Sequence, residues 1–160
     1  MDNISFVPIG VVHSPFSEPK GTPIQPAAAK DVEGRVEIYA EFAEGLKDLE
    51  GFSHVYLIYH FHRSRRFSLT VTPFLDDTDR GVFATRAPAR PNPIGLSIVR
   101  LVAVRGNILA IKDVDIVDGT PLLDVKPYVP AFDVITVERI GWLKGREKEV
   151  RHRKADSRFT

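Results

Sequence analysis

The sequence predicts an all-β (mainly β) domain, a barrel or a sandwich, with one or two short helices and no Rossmann unit. Three observations carry this. Short runs rich in Val, Ile, Tyr and Phe recur at close spacing with turn residues between them. One stretch alone has a clear helical period. The 11 glycines never stand two apart, so G-x-G-x-x-G is absent, and G-x-x-x-x-G-K-[ST] is absent too.

Taken in order, residues 4–14 (ISFVPIGVVHS) are β-branched and stop at Pro15, which predicts a first strand. Residues 15–31 hold closely spaced prolines and read as a stiff coil. Residues 34–40 alternate, with Val36 and Ile38 on one face and Arg35 and Glu37 on the other. Residues 41–52 place Phe42, Leu46 and Leu49 at i, i+4 and i+7 and end at Gly51, which predicts a helix. Residues 53–62 (SHVYLIYHFH) are almost continuously apolar and aromatic, as in a central strand. Residues 67–74 and 81–86 are expected as further strands. Residues 94–106 and 107–119 read as a hairpin turning at Gly106-Asn107. Residues 121–130 read as a second proline-rich coil. Residues 134–143 are expected to close the sheet, and residues 144–154 to form a short helix.

Composition bounds the function. The chain has 160 residues, 43% of them hydrophobic and 27% charged, enough for one domain with a sizeable core. It has no cysteine, which excludes disulfides, thiolate metal sites and cysteine nucleophiles. No apolar run approaches the roughly 20 residues of a membrane span, and the first residues lack a signal-peptide pattern. A cytoplasmic protein is expected. The net charge of +1 is unevenly placed: residues 139–160 carry 8 Lys and Arg against 3 Asp and Glu, leaving 14 against 18 for residues 1–138. The basic end suits an anionic partner such as RNA.

Four segments stand out chemically. RAPARPNPIGLSIVRL, residues 86–101, holds Arg86 and Arg90 on an arm stiffened by three prolines. His60 and His62 lie two apart on the central strand and so share a face. They could begin a metal site, but the spacing selects no third ligand. DGTPLLDVKPYVP, residues 118–130, opens with a turn, and if extended it sets Asp124, Lys126 and Tyr128 on one side. In the proline-rich coil, Gln25 stands between Ile24 and Pro26, where its amide could read a base or cofactor edge.

IGVVHSPF, GFSHVYLIYHFHR, GVFATRAPARPNPIGLSIVRL and DGTPLLDVKPYVP follow one another in the order and at the spacing of the TsaA-like proteins, the TrmO tRNA methyltransferases. The resemblance covers residues 6–133. It implies a single β-barrel domain over residues 1–140 with a short basic tail at 141–160, usually a homodimer. It implies S-adenosyl-L-methionine as cofactor and tRNA as partner, the reaction being N-methylation of N6-threonylcarbamoyladenosine beside the anticodon. By position, the cofactor would be held by Gln25, Pro26 and Ala27, by His62 and Arg63, by Arg86 and Leu96, and by Asp118, Gly119, Thr120 and Pro121. Arg90, Asp118, Lys126 and Tyr128 are the catalytic candidates, with Arg86 expected on the cofactor side and Arg90 on the substrate side. No metal is expected. Two other readings of the residues stand beside this one: a metal-dependent barrel enzyme using His60 and His62, and a non-catalytic module binding S-adenosylmethionine or RNA.

Overall fold

A computed structural model describes residues 2–159. Six strands close a barrel in the order β1-β2-β7-β6-β3-β8, every neighbouring pair antiparallel. They are β1 (Gly10–His13), β2 (Glu33–Ile38), β3 (His54–His60), β6 (Ile94–Arg105), β7 (Ile108–Lys112) and β8 (Thr120–Pro127). The short strands β4 (Thr70–Val71) and β5 (Arg80–Gly81) pair outside it. Closure leaves no strand edge of the main sheet exposed.

Alternation builds the core. On β3, Val55, Leu57 and Tyr59 point inward while His54, Tyr56, Ile58 and His60 face out. Opposite them, Val99 and Leu101 of β6 face in, and Val12, Val36, Ile38, Leu109, Ile111 and Leu122 complete the interior. Each such side chain contributes roughly 1.5–3 kcal/mol on leaving water.

The expected elements need several corrections. Residues 4–9 are not a strand: β1 begins at Gly10, and Ile4, Phe6 and Val7 lie exposed. The predicted helix over 41–52 is instead two 3-10 turns, Ala40–Leu46 and Leu49–Gly51, divided at Asp48, whose φ of 67° no α-helix accommodates. Residues 67–74 supply only the two residues of β4. Half of 81–86 is a 3-10 turn, Val82–Ala84. The second proline-rich coil is β8. Its prolines sit near the strand's ends, at Pro121 and Pro127, where missing N–H groups cost little. β8 pairs with both β1 and β3 and closes the barrel, the role expected of residues 134–143. Those residues hold no strand, and Val134, Ile135 and Val137 are exposed. The hairpin at Gly106-Asn107 forms as expected, with Gly106 at φ +62°.

The basic tail folds back on the body. Gly21 N–H donates to the Ala155 carbonyl and Ala155 N–H donates to Thr22, so the tail pairs with the proline-rich coil. Asp76 anchors it. This buried carboxylate takes Arg80 at 2.7 Å and Arg146 at 2.6 Å. Arg158 Nη1 donates to the Pro73 and Asp76 carbonyls, and Trp142 Nε1 donates to the Ala84 carbonyl. Two tail arginines are thus spent within the molecule. No helix among the described residues is long and apolar enough to cross a membrane.

Candidate functional site

A cavity of about 760 Å³ opens at one end of the barrel, where β3 finishes and β6 and β8 begin. Its roof combines the proline-rich coil (Pro23, Ile24, Gln25), the turn around Phe83–Arg86 and the tail (Trp142, Leu143, Ala155). Its floor carries Tyr59, Gly95, Asp115 and Thr120. The volume falls in the usual range for a small-molecule site.

Six of the eleven residues implied as cofactor-binding line this cavity: Gln25, His62, Arg63, Arg86, Leu96 and Thr120. They arrive from four separate parts of the chain. Arg86 Nη1 donates to Gln25 Oε1 at 2.8 Å, tying the arginine arm to the coil across the cavity. Thr120 Oγ1 donates to the Val117 carbonyl at 2.7 Å, so at its 3.3 Å contact with His62 Nδ1 it acts as acceptor. That leaves His62 protonated on Nδ1, with Nε2 free to accept. Burial first, then the Arg63 and His60 charges, hold the His62 pKa below its ordinary 6.5, so it is neutral at pH 7.

The other five stand behind the wall. Pro26 and Ala27 begin a 3-10 turn. Asp118 Oδ1 accepts the Ser14 N–H at 3.0 Å, and the Asp118 N–H donates to Phe16. Gly119, at φ +76°, donates to Val12. Pro121 lies opposite Val11 of β1. This turn pins β8 to the bend after β1 and thereby sets Thr120 in place.

Of the catalytic candidates, only Arg90 lines the cavity, and its Nη1 donates to the Thr85 and Ala87 carbonyls of its own loop. Lys126 and Tyr128 do share a face, with Tyr56 opposite Lys126 and stacked edge-on against Tyr128. That face lies toward the far end of β3: at ~3.3 Å per residue Lys126 is about 13 Å from His60, and Tyr128, beside His54, about 20 Å. His60 and His62 do not share a face. The strand ends at His60, and a tight turn, with His62 N–H donating to the His60 carbonyl, swings His62 into the cavity. Among the described residues, no cluster of three His, Asp or Glu side chains could hold a metal ion.

Asp115 was not singled out from the sequence. It lies in KDVDIVDG, where three aspartates look alike. Only the burial of Val114 and Ile116 on either side reveals that Asp115 turns the other way, into the cavity. Its Oδ1 accepts the Ser97 hydroxyl at 2.6 Å, and Ser97 lies 3.0 Å from the buried Tyr59 hydroxyl. Burial pushes the Asp115 carboxyl up to about 7, against the pull of the Ser97 bond, its own backbone N–H and the Arg86 charge. Gly95 makes room for this trio: a Cβ there would stand 2.2 Å from the Tyr59 ring.

A second, open groove adjoins the cavity and shares Pro19, Arg63 and Ser64 with it. Arg65, Arg66 and Arg158 also line it.

The tRNA-methyltransferase O N-terminal domain model matches residues 11–134. A probable S-adenosyl-L-methionine-binding protein of Pyrococcus abyssi is 61% identical over 98% of this chain and 85% of its own. The tRNA (adenine(37)-N6)-methyltransferase of Escherichia coli is 39% identical over 81% of this chain and 60% of its own. The crystal structure of TrmO from Pseudomonas aeruginosa superposes with a TM-score of 0.74 at 39% identity, covering 88% of this chain and 63% of that one. The chain thus spans about three fifths of the latter two proteins. With the domain match running from β1 to just beyond β8, and a barrel cavity walled mainly by the matched segments, the chain belongs to the TrmO N-terminal-domain family.

Proposed function

We propose that this chain is an S-adenosylmethionine-dependent methyltransferase acting on N6 of adenine at position 37 of tRNA, with threonylcarbamoyladenosine as the natural acceptor. It would work in the cytoplasm, where tRNA is modified. The observation that carries the reading is the cavity in which Gln25, His62, Arg63, Arg86, Leu96 and Thr120 converge. Its residues fit the methyl donor. Phe61, Phe74, Phe83 and Trp142 offer apolar surface for a purine and a thioalkyl chain, while Thr120, Gln25 and Arg86 offer hydrogen bonds to sugar and amino-acid groups.

Bound there, S-adenosylmethionine supplies a methyl group activated by a sulfonium. The protein's part is placement. Arg86, steadied by Gln25, presents a fixed guanidinium that suits a carboxylate. The aromatic roof keeps water away. Arg63, Arg65 and Arg66 line the neighbouring groove, which is open and basic, and they would hold RNA phosphates while the base enters the cavity. The tail contributes less to that grip than its charge suggests, because Arg146 and Arg158 hold the 73–80 loop.

A homodimer belongs to this reading. Ile94, Leu96 and Ile98 stand exposed on the outer face of β6, across from His60, Ile58 and Tyr56 of β3. A second copy would cover this stripe, and Leu96 would then serve both the cavity and the interface. Sedimentation at micromolar concentration tests it: a monomer removes the dimer.

The deciding experiment is calorimetry with S-adenosylmethionine, NADH serving as control, followed by methylation of threonylcarbamoyladenosine-bearing tRNA scored by nucleoside mass spectrometry. Donor binding with N6-methylated product supports the whole reading. Binding without product reduces the protein to a binding module, and methylation of tRNA lacking the threonylcarbamoyl group overturns the acceptor.

A further inference from the structure

The cavity floor holds a part-buried acid that the placement roles above leave unused. Residues 113–119 run from the end of β7 to the start of β8, and Val114 and Ile116 are buried in the barrel interior. Asp115, between them, faces the cavity. The Ser97 proton is committed to Asp115 Oδ1, so Tyr59 donates to Ser97 in turn, giving a chain Tyr59–Ser97–Asp115. Two strands of the barrel thus fix one oxygen of a carboxylate that lines the cavity.

We propose that Asp115 is the catalytic base that removes the N6 proton of the acceptor adenine as the methyl group is delivered. The proposal rests on the methyltransferase reading above. A carbamoylated N6 is a weak nucleophile because its electron pair is delocalised into the adjoining carbonyl, so methylation there needs its proton taken. As the N6 electron pair forms the N–CH3 bond, the donor's C–S bond breaks with its pair going to sulfur, and the N6 proton passes to Asp115. Oδ1 is held by Ser97, which leaves Oδ2 to receive the proton and release it to water.

The other charged and titratable groups around the cavity fit this assignment. Arg86 acts on Asp115 electrostatically and favours its ionised form. Asp156, on the tail, is engaged by Arg158 at 3.0 Å and is half exposed. His62 is the rival base, with Nε2 free, but its affinity for a proton is depressed by burial and by Arg63 and His60. Asp115 titrates near neutral pH, where a general base is most effective.

The test uses the full chain and modified tRNA with Asp115→Asn, Ser97→Ala and His62→Gln. Asn keeps the acceptor oxygen that Ser97 needs, so the fold is retained. Asp115→Asn should lower kcat by about 10²–10⁴-fold with donor affinity by calorimetry unchanged. Ser97→Ala removes a bond that stabilises the carboxylate, so the acid limb of the pH–rate profile should move to higher pH while its plateau persists. Wild-type rate in Asp115→Asn overturns the proposal. So does a loss of donor affinity that accounts for the rate, which would make Asp115 a cofactor ligand. Loss of the acid limb in His62→Gln, rather than in Asp115→Asn, hands the role to His62. A 13C titration of the aspartate carboxyls in the ligand-free wild-type protein gives a readout independent of turnover. Asp115 should titrate near 7, and a midpoint below about 5 overturns the proposal even if methylation is observed. A wild-type chain that neither binds the donor nor methylates tRNA takes down the function and this proposal together, whereas an active Asp115→Asn removes the proposal alone.

Discussion

Asp115→Asn should make the protein less sensitive to alkali, and the size of the effect follows from the site. The folded barrel raises the Asp115 carboxyl from 3.8 to about 7. The folded chain therefore binds a proton that the unfolded chain has already released. Stability from this group is full below about pH 4 and falls as pH rises to about 7, where it levels off. At about 1.4 kcal/mol per pH unit, the roughly three-unit gap amounts to about 4 kcal/mol, of which about 3 falls between pH 5 and pH 8. Urea unfolding at those two pH values, on wild type and Asp115→Asn, isolates the term. The wild type should lose about 3 kcal/mol more than the variant over this interval, a midpoint difference of about 1–3 M urea. Parallel losses in the two proteins would refute the argument that desolvation at the cavity floor raises this carboxyl.

Three further outcomes follow from the geometry. Gly95→Ala should cost about 1–3 kcal/mol in thermal unfolding, because its Cβ meets the Tyr59 ring; an unchanged midpoint would mean that the ring moves freely. Binding of tRNA should weaken steeply with salt, and Arg65→Ala and Arg66→Ala should each lower the log–log slope by about 1; a slope unchanged by both removes the groove as a phosphate track. Asp76→Asn should loosen the tail, read as faster proteolysis within residues 139–160, since Arg146 and Arg80 lose the charge they share. The Arg146 contact, followed by that of Arg80, holds the Asp76 carboxyl well below the usual carboxylate range, so the wild-type tail should stay docked until strongly acidic pH.

The sequence disclosed the barrel's long strands through their runs of β-branched and aromatic residues, and the fold sorts β3 and β6 into inside-outside patterns with few exceptions. It misjudged β8 because proline was read as a break, whereas Pro121 and Pro127 occupy ends of the ladder that need no donor. The helix over 41–52 failed for a local reason: a good apolar period cannot continue through Asp48 in a left-handed conformation. Within the site, Gln25 and Arg86 were legible because proline-rich segments hold them, and His62 because it stands at the end of the long apolar strand, two residues from His60. Lys126 and Tyr128 were drawn in by an alternation that is real but belongs to the opposite end of β3. Asp115 was hidden, since nothing local separates it from Asp113 and Asp118. What distinguishes it is Ser97, on another strand, and no spacing within one segment can report that.

The seam between β1 and β8 has a consequence for how the molecule comes into being. It joins Gly10 to Leu122, almost the first and last residues of the sheet, so it ranks among the most non-local contacts in the chain. Contacts of that kind form late, because the intervening loop entropy must be lost before they give anything back. Thr120 and the turn before it stand on that seam, through Gly119 to Val12 and Asp118 to Ser14 and Phe16. Ligand capture should therefore appear only with the slowest refolding phase, and a chain caught short of closure would carry the right residues without a place for them to meet.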